Sequence, residues 1–85
     1  MLDTMSCLER FADSTRTHID LAVRVVPGSP ASVRVRNRFS SNLHEVVTCS
    51  SEGAFVTSWG YRLGTVDDID AAAARLAYLL AAMPA

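Results

Sequence analysis

The chain is 85 residues long, with eight arginines, no lysine, nine acidic residues and a formal net charge of −1. That length fills one hydrophobic core, so residues 1–85 read as a single domain. A hydrophobic content of 49% excludes a disordered polar chain, and the near-neutral charge excludes general attraction to nucleic acid or anionic membrane. Two cysteines, Cys7 and Cys49, allow at most one disulfide. No basic, apolar secretory leader opens the sequence and no apolar run is long enough to span a bilayer. The expected setting is the cytoplasm, with both thiols reduced.

Residues 3–14 predict a helix. Leu2, Met5, Leu8, Phe11 and Ala12 recur at three- and four-residue spacing and form one apolar stripe. Asp3 is placed to cap its start, and the hydroxyl-rich "DSTRT" is expected to end it, because these side chains compete for backbone hydrogen bonds. "HIDLAVRVV" then alternates as a strand, with Ile19, Leu21, Val23 and Val25 on one face and Asp20, Ala22 and Arg24 on the other. "PGSP" at 27–30 is the strongest turn signal in the chain.

"SVRVRNRF" alternates again, setting Val33, Val35 and Phe39 against Arg34, Arg36 and Arg38. "SSN" reads as a connection, and "HEVVTC" and "AFVTSW" as the third and fourth strands, joined through "SSEG" with Gly53 at positive φ. In the third strand Val46 and Val47 compete for the core face. Phe55, Thr57 and Trp59 share one parity, which places Trp59 in the core beneath a terminal helix. Gly60 then interrupts the strand and re-aims Tyr61 outwards.

From Thr65 the period becomes helical, with Val66, Ile69, Ala73, Leu76, Leu80 and Met83 along one stripe. Thr65 and Asp68 resemble a capping box, and Asp67, Asp68 and Asp70 suit the positive end of a helix dipole. The sequence thus predicts an α+β fold in the order α-β-β-β-β-α. It is a two-layer sandwich in which a four-stranded antiparallel meander carries both helices on one face. Leu79, Ala72 and Ala82 beside Tyr78 leave a homodimer across the last helix open as an alternative to simple core burial.

The chemistry the sequence offers is narrow. Arg24, Arg34, Arg36 and Arg38, joined by Arg62, are expected on the uncovered sheet face, where guanidinium forks bind carboxylate or phosphate. The competing reading is a solvated face whose long stems cover the pleat. Tyr61 with Arg62 is a further candidate edge of a binding surface. Direct RNA readout is disfavoured, because it also needs exposed aromatics on the same face. No G-x-S-x-G elbow is present, and Cys49 and His44 fall on opposite faces of one strand. Metal ligands do not converge, and no phosphate-cradling glycine loop occurs. The expectation is a non-enzymatic protein-interaction module without a cofactor. A small-molecule or anion-binding domain is the alternative, and a direct nucleic-acid binder is the weakest reading.

The segment "FVTSWGYRLGTVDDIDAAAARLAYLL" resembles the C-terminal part of small actinobacterial proteins in which an aromatic strand ending in S-W-G runs through an acidic turn into an Ala-rich helix. Ser58, Trp59, Gly60, Gly64, Asp67, Asp68 and the alanines at 71–74 carry the likeness, over about a third of the chain. The all-arginine basic set and Ala-rich tail suit a high-GC genome. The resemblance implies a regulatory or accessory protein and supplies no catalytic residue.

Overall fold

The computed structural model describes residues 3–81, apart from the side chain of Ser41. The chain runs α1 (Thr4–Arg16), β1 (Leu21–Val26), β2 (Ser32–Asn37), β3 (Ser40–Cys49), β4 (Ala54–Thr57), β5 (Arg62–Thr65) and α2 (Ile69–Leu79), with a 3-10 turn at Val66–Asp68 leading into α2. All strand pairs are antiparallel and the sheet order is β1-β2-β3-β4-β5, an open meander with the helices on one face. The α+β class holds, and the strand count is five where the sequence pattern predicts four. The extra strand escapes the pattern because Arg62–Thr65 is short and contains Gly64. It also carries an irregularity that inserts buried Leu63 between the pairs Phe55–Gly64 and Val56–Arg62.

The helix-side face is apolar for the reason the alternation gives. Leu21, Val33, Val35, Val47 and Phe55 meet Leu8, Phe11, Ala12, Ala73 and Leu76 from the helices in one buried cluster. The rings of Phe11 and Phe55 stack at its centre with centroids 4.7 Å apart. Val47 takes the core position opposite Val33, which leaves Val46 on the open face opposite Arg34. Gly64 lets α2 approach β5: a Cβ there would lie 3.0 Å from that of Ala72, a contact so tight that the helix would have to give by a few tenths of an ångström. Cys7 is buried in the same cluster, and Cys49 is half-buried against it as a free thiol.

Several local expectations are corrected. The helix α1 runs through "DSTR" to Arg16, because its hydroxyls find partners that leave the helix intact: Thr15 Oγ1 donates to the Phe11 carbonyl at 2.7 Å and Ser14 Oγ to Asp70 Oδ1 of α2 at 2.6 Å. Ile19 lies in the turn before β1 and is 82% exposed, so it is not a core residue. "SSN" belongs to β3, which shortens the β2–β3 link to Arg38 and Phe39. The turn breaks the parity there and leaves Phe39 76% exposed, whereas Asn37 occupies the core-side position. Asn37 is satisfied in place, donating from Nδ2 to the Leu80 carbonyl at 2.7 Å and accepting at Oδ1 from Phe39 N–H at 2.8 Å. Asp68, not Thr65, caps α2, accepting from Ala71 N–H at 3.2 Å. Leu2, Ala82 and Met83 lie outside the described residues.

Candidate functional site

The open face of the sheet gathers three of the expected arginines into one cluster. Arg24 on β1 is the direct cross-strand partner of Arg34 on β2, and Arg36 stands between Ala22 on β1 and His44 on β3. All three arginines are exposed. With Ala22, His44, Glu45 and Val46 they line a shallow groove of about 490 Å³, and the Glu45 carboxylate is taken up by Val46, Ser58 and Trp59. Like charges directly opposite on adjacent strands repel, and no Asp or Glu is a cross-strand partner of Arg24, Arg34 or Arg36. Among the described residues the one ion pair is Arg16–Asp13, at 2.8 Å on the far side of the domain in α1. The cluster is therefore a net cationic surface with guanidinium forks turned to solvent.

The other expected members sit elsewhere. Arg62 pairs with Val56 on β5 and so shares the open face, but three strand spacings, about 14 Å, separate it from β2. Arg38 lies in the β2–β3 turn. Its backbone N–H donates to the Asp20 carbonyl at 2.8 Å and its Nε to the Leu21 carbonyl at 3.2 Å, so it braces the start of β1. Tyr61 does point outwards, yet on the helix side, where it lines a small depression with Ala74, Arg75, Tyr78 and Leu79 of α2. Tyr61 therefore belongs to a different surface from the arginines.

Trp59 is not a core residue: it is 63% exposed and stacks on Tyr61 with ring centroids 5.1 Å apart. The parity argument fails because β4 ends at Thr57, two residues early, and residues 58–61 form the β4–β5 turn with Gly60 at φ +89°. Glu45 holds that turn. Its Oε1 accepts from Val46 N–H at 2.9 Å, Ser58 N–H at 3.1 Å and Ser58 Oγ at 2.5 Å, while Oε2 accepts from the Trp59 indole at 2.6 Å. The carboxylate thus joins the backbone N–H groups of Val46 and Ser58 where strand pairing between β3 and β4 stops. Partial burial pushes the Glu45 carboxyl up. The hydrogen bonds from Ser58, Val46 and Trp59 outweigh it, and the net result lies below the ordinary carboxylate value. Sequence reasoning missed this residue, although a lone Glu on the apolar parity of a strand was the available signal.

The structure places His44 on the arginine face and Cys49 against the core, on opposite sides of β3 as expected. Burial, with the neighbouring Cys7 as a smaller cause, raises the Cys49 thiol and disfavours its nucleophilic thiolate. No group of three or more potential metal ligands occurs among the described residues. No helix among them is long and apolar enough to cross a membrane. Fold and site together define an open-faced α+β sandwich with a cationic sheet surface. Compared with protein-family models, curated proteins and solved structures, the chain matches none.

Proposed function

We propose that this chain is a non-enzymatic interaction module that receives an acidic segment of a partner protein on its open sheet face, through Arg24, Arg34 and Arg36. The observation that carries the reading is the direct Arg24–Arg34 pairing, with no carboxylate as a cross-strand partner of either arginine. Such a pair costs stability in the free protein and becomes favourable once a carboxylate lies between the two forks. A regulatory or accessory role in the cytoplasm suits this reading and the free thiols of Cys7 and Cys49. Nucleic acid fits less well, since Tyr61 and Tyr78 line a depression on the helix side and offer no stacking platform beside the arginines.

The groove itself favours a second reading. Its 490 Å³, bordered by three guanidiniums and His44, would also admit a small phosphorylated or carboxylated ligand. Capture from the native host at low salt, run in parallel with wild type and an Arg34→Glu/Arg36→Glu variant, separates the two. Loss of a stoichiometric protein from the variant alone, with circular dichroism unchanged, supports the module. Equal capture by both forms refutes the location. Recovery of the wild type without protein but with a bound small anion favours the second reading.

A further inference from the structure

Antiparallel pairing fixes which backbone groups of β1 face its neighbour and which face solvent. The Arg38 N–H to Asp20 carbonyl bond marks 20–38 as a hydrogen-bonded pair. By alternation the pairs Ala22–Arg36, Arg24–Arg34 and Val26–Ser32 are hydrogen-bonded too. The N–H and C=O groups of Val23 and Val25 therefore point away from the sheet. At Leu21 the same edge is closed, because its N–H donates to the His18 carbonyl and its C=O accepts from Arg38 Nε. What remains is a short open stretch of edge, centred on Arg24. The opposite edge, β5, is only four residues long and runs straight into the turn before α2.

The side chains along that stretch have two characters. Val23 and Val25 face the helix side, half-buried and packed on the core cluster. Between them Arg24 faces the open side, backed by Arg34 one strand in. A strand laid against this edge would meet apolar surface at alternate positions on one side and two guanidiniums on the other. Relative to such a strand Arg24 sits at a non-hydrogen-bonded position, where opposing side chains come closest. A second copy would bring its own Arg24 to the same seam, so the charge disfavours self-pairing and selects an acidic occupant.

We propose that the outer edge of β1 takes an extended segment of the partner as a sixth strand, with acidic side chains towards Arg24 and Arg34 alternating with apolar ones towards Val23 and Val25. The mode is strand addition, in which main-chain bonds supply affinity and alternate side chains supply specificity. It rests on the acidic-partner reading and gives the partner a sequence pattern, apolar–acidic–apolar.

The probe is a short blocked peptide of alternating valine and glutamate, titrated at low salt. The expected result is saturable binding with slowed hydrogen exchange at the Val23 and Val25 amides. Methylating the peptide nitrogens that face β1 should weaken binding at least about tenfold. Val25→Pro in the protein should do the same. It removes an N–H that points out of the sheet, which an edge strand tolerates, and an amide correlation spectrum checks that the fold is kept. If the methylated peptide and Val25→Pro both bind as the parents do, the edge proposal is overturned while the arginine face stands. If a valine–glutamine peptide binds as tightly as valine–glutamate, the acidic-partner reading fails instead. Absence of binding at low salt, or protection of Val23 and Val25 by self-association without peptide, also overturns the proposal.

Discussion

Replacing Arg24 by Gln should stabilise the free protein, and the gain should fade with salt. Arg24 and Arg34 are direct cross-strand partners, with Cα atoms of such a pair about 5.5 Å apart. With the stems splayed into solvent, guanidiniums about 7 Å apart repel by roughly 0.6 kcal/mol at the dielectric of water. At 0.01 M ionic strength nearly all of this survives, and at 0.15 M, where the screening length is about 8 Å, under half does. Arg24→Gln keeps part of the stem that covers the sheet and removes the charge. Its melting temperature should therefore rise by about 2–4 °C in low salt and by about 1 °C in physiological salt. Thermal unfolding followed by circular dichroism at the two ionic strengths reads both numbers. A variant less stable than the parent in low salt, or a gain unchanged by salt, would show Arg24 engaged in a favourable contact. An anionic partner would then have no unpaired charge at Arg24 to neutralise.

Three other outcomes follow from the packing and from Glu45. Because the Glu45 carboxyl sits below its ordinary value, its contribution is complete above the ordinary carboxylate pKa and is lost as pH falls through the lower folded value. Trp59 emission should shift on that acid limb, and Glu45→Gln should remove the shift while costing about 1 kcal/mol in urea unfolding. An unchanged acid transition in the variant would exclude Glu45 as its source. Gly64→Ala should cost about 1–3 kcal/mol by pressing on Ala72, and Ala72→Gly should restore part of it. Strict additivity in the double-mutant cycle would disprove the contact. Phe55→Ala, which empties the centre of the Phe11–Phe55 stack, should cost about 3–5 kcal/mol. That approaches the whole stability of a domain this small, so a variant with a near-parental urea midpoint would contradict the assigned core.

The regular elements were legible wherever the pattern could run undisturbed. Val33 and Val35 against Arg34 and Arg36 needs only a period of two, and the structure keeps both faces as read. The errors sit at strand ends, where parity is extrapolated into turns. Alternation puts Ile19, Phe39 and Trp59 on the core face only by counting two residues beyond the strand that actually forms, and all three are exposed. Position 37 shows the converse: an Asn on the core parity reads as a defect until the α2 carboxyl end, over forty residues later in the chain, supplies the Leu80 carbonyl it serves. For the site, alternation sufficed to put Arg24, Arg34 and Arg36 on one face. It could not give the register that pairs Arg24 with Arg34, nor the distance that separates Arg62 from them. At Glu45 parity could mark an out-of-place carboxylate, but not its partners, because Ser58 and Trp59 come near it only through the β4–β5 turn.

The most direct test of the cationic face is an amide chemical-shift titration of the protein with a glutamate-rich peptide at low salt. The account predicts that the largest shifts fall at Ala22, Arg24, Arg34, Arg36, His44 and Val46, diminish with added salt, and disappear in Arg34→Glu/Arg36→Glu. Shifts centred on Trp59, Tyr61 and Tyr78 instead, or none at any salt concentration, would contradict it.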